Sequence, residues 1–192
     1  MELIQTLPGN PMPLGASVVN VGVNFAVFSR NATRVILEFF KNSEDCEPYA
    51  QIEFDPEVNR TGDVWHVFVP GIKPGDLYLY HVDGPFEPSA GHRFNVKQLL
   101  FDPYAKALTP VSLFHNLPPV YRTPVDKTDV ELAESHYHFQ FPKCVVVNDS
   151  DFDWQGDKPL NIPLSESIIY ETHVKGFTAG KNANVSNPGT YA

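Results

Sequence analysis

Between residues 16 and 95, apolar side chains recur with a period of two, in short runs. In GVNFAVFS (22–29), Val23, Phe25 and Val27 share one face. In TRVILEFF (33–40), Val35, Leu37 and Phe39 alternate with Ile36, Glu38 and Phe40. In DVWHVFV (63–69), Trp65, Val67 and Val69 share a face, and in DLYLYHVD (76–83) Leu77 and Leu79 oppose Tyr78, Tyr80 and Val82. A period of two is the signature of a strand, and no helical period is sustained here. Most of these runs are apolar on both faces, which fits sheets packed between layers.

The punctuation agrees. KNSEDCEP (41–48), NRTGD (59–63), PGIKPGD (70–76) and DGPFEPSAG (83–91) are dense in Gly, Pro, Asn and Asp, the residues turns require. Short strands joined by such turns predict a small antiparallel sandwich. Residues 1–15, with Pro8, Gly9, Pro11, Pro13 and Gly15, read as an extended lead-in. After residue 96 the pattern changes. LLFDPYAKAL (99–108) predicts one helical turn, capped by Asp102 with Pro103 in the first helical position. Residues 109–163 are proline-rich and irregular, as a strap over a neighbouring surface would be, and only KCVVVND (143–149) reads as a strand. LSESIIYETHV (164–174) then predicts a buried strand that ends at Gly176, and NPGTYA (187–192) a turn.

Composition narrows the function classes. The 192 residues are 42% hydrophobic and 12% aromatic, enough for one sizeable core. The 14 Phe and 8 Tyr favour strands. A net charge of −9 argues against nucleic acid and anionic membrane partners and is compatible with a neutral ligand. The 2 cysteines, Cys46 and Cys144, do not make a disulfide framework. With no basic, apolar leader and no membrane-length apolar run, the expected location is the cytoplasm.

Candidate chemistry is sparse. Asp149, Asp151 and Asp153 have the opening spacing of a calcium loop, but Trp154 and Leu160 stand where it needs Gly and Glu. A solvated turn with Phe152 and Trp154 anchored in a core is expected instead. His136 and His138 lack a third ligand at metal spacing. Glu171, inside an apolar strand, reads as a perturbed acid or as a structural partner of Lys175 or His173. No metal, cofactor or catalytic residue is expected. The aromatics are the better signal. Trp65, Tyr80 and Phe86 lie on or beside adjacent strands, where rings can stack on the apolar faces of sugars. Trp65 shares its face with Val67 and Val69, which suits core packing equally.

Several segments together resemble the isoamylase-type glycogen debranching enzymes of the alpha-amylase superfamily: GVNFAVFSRNATRVILEFF, DVWHVFVPGIKPGDLYLYHVDGPFEP, GHRFNVKQLLFDPYAKAL, VVVNDSDFDW and SIIYETHVKGFT, in that order. The resemblance implies an immunoglobulin-like β-sandwich of the carbohydrate-binding-module type, then a connector, then a (β/α)8 barrel. On that reading residues 1–95 are the sandwich, 96–163 the connector strap, and 164–192 the first strand and following turn of an incomplete barrel. It implies an α-glucan partner: glycogen, amylopectin or a branched dextrin. The family hydrolyses α-1,6 branch points with an Asp nucleophile, a Glu acid/base and a second Asp on later barrel strands. A barrel takes ~250 residues, so none of those residues is expected here and the chain alone is expected to be inactive. A stand-alone glucan-binding protein is the alternative. The unpaired barrel strand also predicts self-association.

Overall fold

The computed structural model describes residues 3–110 and 141–191. His136 and His138 lie outside the described residues. The period-two runs form strands at the predicted places: β1 (Leu7–Pro8), β2 (Gly15–Val19), β3 (Gly22–Phe28), β4 (Arg34–Phe40), β5 (Ala50–Glu53), β6 (Arg60–Thr61), β7 (Val64–Pro70) and β8 (Leu77–Asp83). Four two-residue strands follow: β9 (Phe86–Glu87), β10 (His92–Arg93), β11 (Ala107–Leu108) and β12 (Cys144–Val145).

They assemble into two antiparallel sheets and a small hairpin. One sheet has the order β1-β7-β3-β2 with β6 on β7, the other β11-β12-β8-β4-β5, and β9 pairs with β10. Consecutive strands β3 and β4 lie in different sheets, so the chain crosses between layers there. Register puts Val23, Phe25 and Val27 opposite Val69, Val67 and Trp65. In the other sheet it puts Val35, Leu37 and Phe39 opposite Val82, Tyr80 and Tyr78. These two inner faces meet as a sandwich: Phe25 packs edge-on against Phe39 (5.5 Å) and Tyr78 (5.0 Å). The expected immunoglobulin-like β-sandwich is therefore present.

The segment after the sandwich strands completes the second sheet. β12 pairs with Leu77 and Tyr78 at the start of β8 and goes no further. Beyond it, Leu100 takes the vacated position beside Tyr80, with reciprocal backbone hydrogen bonds of 3.0 and 2.8 Å. Asp102 and Pro103 do not start a helix, as the sequence pattern predicts, but close a turn. The Asp102 carboxylate accepts from Tyr104 N (2.8 Å) and from the buried Tyr78 hydroxyl (2.8 Å), so tertiary bonds hold a turn that could otherwise have propagated.

The chain divides into two compact units, Met1–Asp151 and Phe152–Ala192. The second differs from expectation. Residues 167–173 belong to no strand or helix, and Ile168 is 98% and Tyr170 78% exposed. Val174–Thr178 forms a short helix, α1, capped by His173, whose Nδ1 accepts from Gly176 N at 3.0 Å. The predicted first barrel strand is thus not formed here: a strand buried on both faces needs neighbouring strands for its backbone groups. Glu171 is correspondingly exposed rather than inside a strand. Phe152 and Trp154 also depart from prediction. They are 64% and 65% exposed and pack edge-on against each other at 4.8 Å, not into a core.

Candidate functional site

Of the three aromatic candidates, Trp65 belongs to the core. It is fully buried, its indole N–H donates to Ser29 O at 3.1 Å, and the Arg60 guanidinium lies 4.8 Å from its ring centroid. It presents no ring face to a sugar, because its strand alternation points it between the sheets. Phe86 is half-buried at the base of the β9–β10 hairpin, directly opposite Arg93. Tyr80 is 1% exposed and faces the core, edge-on to Tyr78 at 6.0 Å, yet it also forms one wall of a cleft.

That cleft encloses about 320 Å³ at one end of the sandwich. Val27 and Phe28, at the end of β3, form one side; Tyr80 and Val82 of β8 form the second. The segment 93–103 closes the third with Phe94, Leu100 and Phe101. The third wall is held at several points. The Tyr80–Leu100 bridge fixes the third wall to β8. Phe101 stacks on Phe141 at 4.6 Å. Phe94 sits so close to the backbone at Gly84 that a Cβ there would meet its ring at 2.7 Å, so DGPF requires glycine.

The walls are apolar; the polar groups are few and specific. Asn95 is 6% exposed. Its Oδ1 accepts from Lys97 N at 3.0 Å and its own carbonyl accepts from Gln98 N at 3.0 Å, an Asx turn that fixes the amide. Its Nδ2, shielded from solvent, has no hydrogen-bond partner among the described residues. The same holds for the Tyr80 hydroxyl. Burial, with Asp102 nearby, holds the Tyr80 phenol far above its ordinary titration range, so it stays a neutral O–H. Gln98, Ser29, Pro103 and the exposed Arg93 also line the cleft. A mainly apolar cleft with a few polar side chains in its lining is the common form of a small-molecule site.

A second concavity lies on the outer face of the second sheet. His81 Nε2 is 3.1 Å from Glu38 Oε2, and Gln51 donates to Glu38 Oε1 at 3.2 Å. Glu38 and His81 are 7% and 3% exposed, and the cavity they share with Arg34, Glu47 and Lys97 measures about 730 Å³. Sequence reasoning missed this pair; the available signal was two polar residues in mid-strand, at positions the alternation places on one outer face. It also missed Asn95, whose Asn-x-Lys turn carries no chemistry until its amide is seen to be buried.

Comparison with known proteins places these features in context. Residues 13–105 match the family model of carbohydrate-binding module 48, the isoamylase N-terminal domain. The chain is 39% identical over 189 residues to isoamylase 1, chloroplastic, of Oryza sativa subsp. japonica, covering 97% of this chain and 22% of that protein. It is 41% identical over 170 residues to the glycogen debranching enzyme of Yersinia pestis bv. Antiqua (strain Angola), covering 88% and 24%. The chain thus spans about a quarter of the length of the curated relatives it matches. Among solved structures it resembles the GBS pullulanase SAP in complex with maltotetraose, with a TM-score of 0.51 and 20% identity, covering 93% of this chain and 20% of that one. At that identity the likeness is one of fold.

Proposed function

We propose that the chain, whose residues 13–105 match the family model of carbohydrate-binding module 48 (isoamylase N-terminal domain), is the N-terminal, α-glucan-binding part of an isoamylase-type debranching enzyme. In this reading hydrolysis of α-1,6 branch points is the work of the longer protein, and residues 1–192 supply substrate contact without catalysis. The observation that supports the reading is the cleft beside Tyr80: apolar walls at Val27, Phe94, Leu100 and Phe101 for sugar ring faces, with Gln98 and Arg93 as polar groups for hydroxyls. Cleft and motif coincide, since the third wall is built by GHRFNVKQLLFDP, one of the segments that resembles the debranching enzymes.

Electrophoresis of the purified 192-residue protein through gels containing glycogen tests this. Retardation relative to a glycogen-free gel is the expected result; unchanged mobility overturns the reading. Amylopectin incubated with the same protein is expected to release no reducing ends.

Self-association is a second property this reading includes. Ile168 and Ile169, 98% and 79% exposed, leave apolar surface at the segment that resembles a barrel strand. Sedimentation velocity over a concentration series should show a mass increase that Ile168→Ser with Ile169→Ser abolishes. A monomer at all concentrations counts against it.

A further inference from the structure

We propose that Phe141 and Cys144 are positioning residues for the third wall of the cleft, so that the glucan-binding unit runs on to Asp151 rather than ending at residue 105 with the family match. The proposal rests on the glucan-binding reading above and extends it to residues outside the matched segment.

Leu100 is bridged to Tyr80, and the two residues after it lean on a strand from much later in the chain. Phe101, which lines the cleft, stacks on the buried Phe141 with centroids 4.6 Å apart and planes 23° apart. The backbone N–H of Asp102 donates to Sγ of the fully buried Cys144 at 3.3 Å, 42 residues away in sequence. Residues 13–105 contain neither partner. Without Phe141 and Cys144, the wall keeps the Tyr80–Leu100 bridge and the Tyr78–Asp102 hydrogen bond but loses both contacts behind it.

The supporting strand is itself fixed. Cys144 pairs with Tyr78 and Val145 with Leu77. Val146 N donates to Asp76 O, and Gly75 N donates to Val146 O, both at 2.9 Å. Lys143 N donates to Thr109 Oγ1 at 3.0 Å. Phe141, Cys144 and Val146 are all buried in the sandwich core. A segment bonded in this way is a core strand and not a linker. Binding geometry is precise when the residues that form it are locked by packing and hydrogen bonds behind them. Loosening Phe101 and Asp102 therefore costs affinity even though neither Phe141 nor Cys144 lines the cleft.

Affinity electrophoresis of the 192-residue protein over a series of glycogen concentrations, run well below the thermal midpoint, tests the proposal together with amide hydrogen exchange. Phe141→Leu keeps an apolar side chain and removes the stacked ring. Cys144→Val keeps an apolar β12 and removes the sulfur acceptor. Each is expected to weaken glycogen binding by about two- to tenfold, the range to which loss of one aromatic pair or one hydrogen bond converts. Exchange at the amides of Leu100 and Asp102 should quicken in both, with exchange at Phe25 unchanged. Ile52→Val is the control: it trims a buried residue of β5 outside the cleft lining, so it should lower the thermal midpoint and leave affinity as it was. Unchanged affinity in both cleft-bracing variants, or an equal loss in Ile52→Val, overturns the positioning role while leaving glucan binding standing. Absence of glycogen binding by the parent overturns both.

Discussion

The hydroxyl of Tyr78 donates a 2.8 Å hydrogen bond to the carboxylate of Asp102 inside the sandwich. The backbone N–H of Asp102 in turn meets Cys144 Sγ at 3.3 Å. One residue therefore ties the 93–103 segment to both β8 and β12. Burial pushes the Cys144 thiol up to about 12, so it stays protonated beside it.

Asp102→Ala is expected to destabilise the protein by about 2–3 kcal/mol, because it strands the buried Tyr78 hydroxyl. Asp102→Asn should cost less: its amide oxygen can accept from Tyr104 N while its NH2 donates to Tyr78. Burial raises the Asp102 carboxyl above its ordinary value of about 3.9. Its folded form binds the proton more tightly than the unfolded chain, so this contribution is full below about pH 4 and is lost as pH rises through the folded value. Urea unfolding between pH 4 and 7 should show a flatter pH profile for the Asn variant than for the parent.

His66 works in the opposite sense. It is 4% exposed, its Nε2 is 2.8 Å from Thr61 Oγ1, and burial holds its pKa below the ordinary value. The folded protein binds that proton less readily than the unfolded chain, which takes it up below about pH 6.5. Its contribution is present above that pH and lost as pH falls. Between pH 7.5 and 5.5 the urea midpoint should drop, and His66→Gln should reduce the drop.

Lys143 is 1% exposed, and its ammonium donates to the carbonyls of Ser43 (2.8 Å) and Asp45 (2.7 Å) while lying 5.0 Å from the Phe40 ring centroid. It clamps the β4–β5 turn to the β12 strand. Lys143→Met keeps most of the apolar stem and removes the donors, so stability should fall by about 1–3 kcal/mol. Hydrogen exchange at the amide of Asp45, which donates to Asn42 O, should quicken more than exchange at Phe25.

Phe25 and Phe28 separate folding from binding. Phe25 is fully buried, and Phe25→Ala should cost about 3–5 kcal/mol by chemical denaturation. Phe28, three residues on and on the other face of β3, is 53% exposed at the cleft rim. Phe28→Ala should change stability by no more than about 0.5 kcal/mol and weaken retention on glycogen gels.

The inner faces of the sandwich were legible because alternation puts Val23, Phe25 and Val27 together, although Asn24 and Ala26 on the other face of the strand are buried as well. Trp65 was legible only as a choice, since alternation says which residues share a face and not whether a layer covers it. Tyr80 was named for its ring, but its burial depends on how the 93–103 segment packs beside it, a relation between segments. The Asp-Pro of LLFDPYAKAL signals an Asx-type cap, and the same signal opens a helix or closes a turn; bonds from Tyr78 decided for the turn. SIIYETHV misled because an apolar run has the same composition whether or not strands lie beside it.

The bridge between Tyr80 and Leu100 gives the cleft its mechanical character. The third wall is stitched into the hydrogen-bond ladder of β8, so it is not a loop free to breathe around whatever arrives. Widening the cleft means breaking the sheet, and its aperture is protected by the same cooperativity that protects the core. A ligand seated there would be felt as a rise in the melting temperature of the whole sandwich, in proportion to its affinity, rather than as the ordering of a local flap.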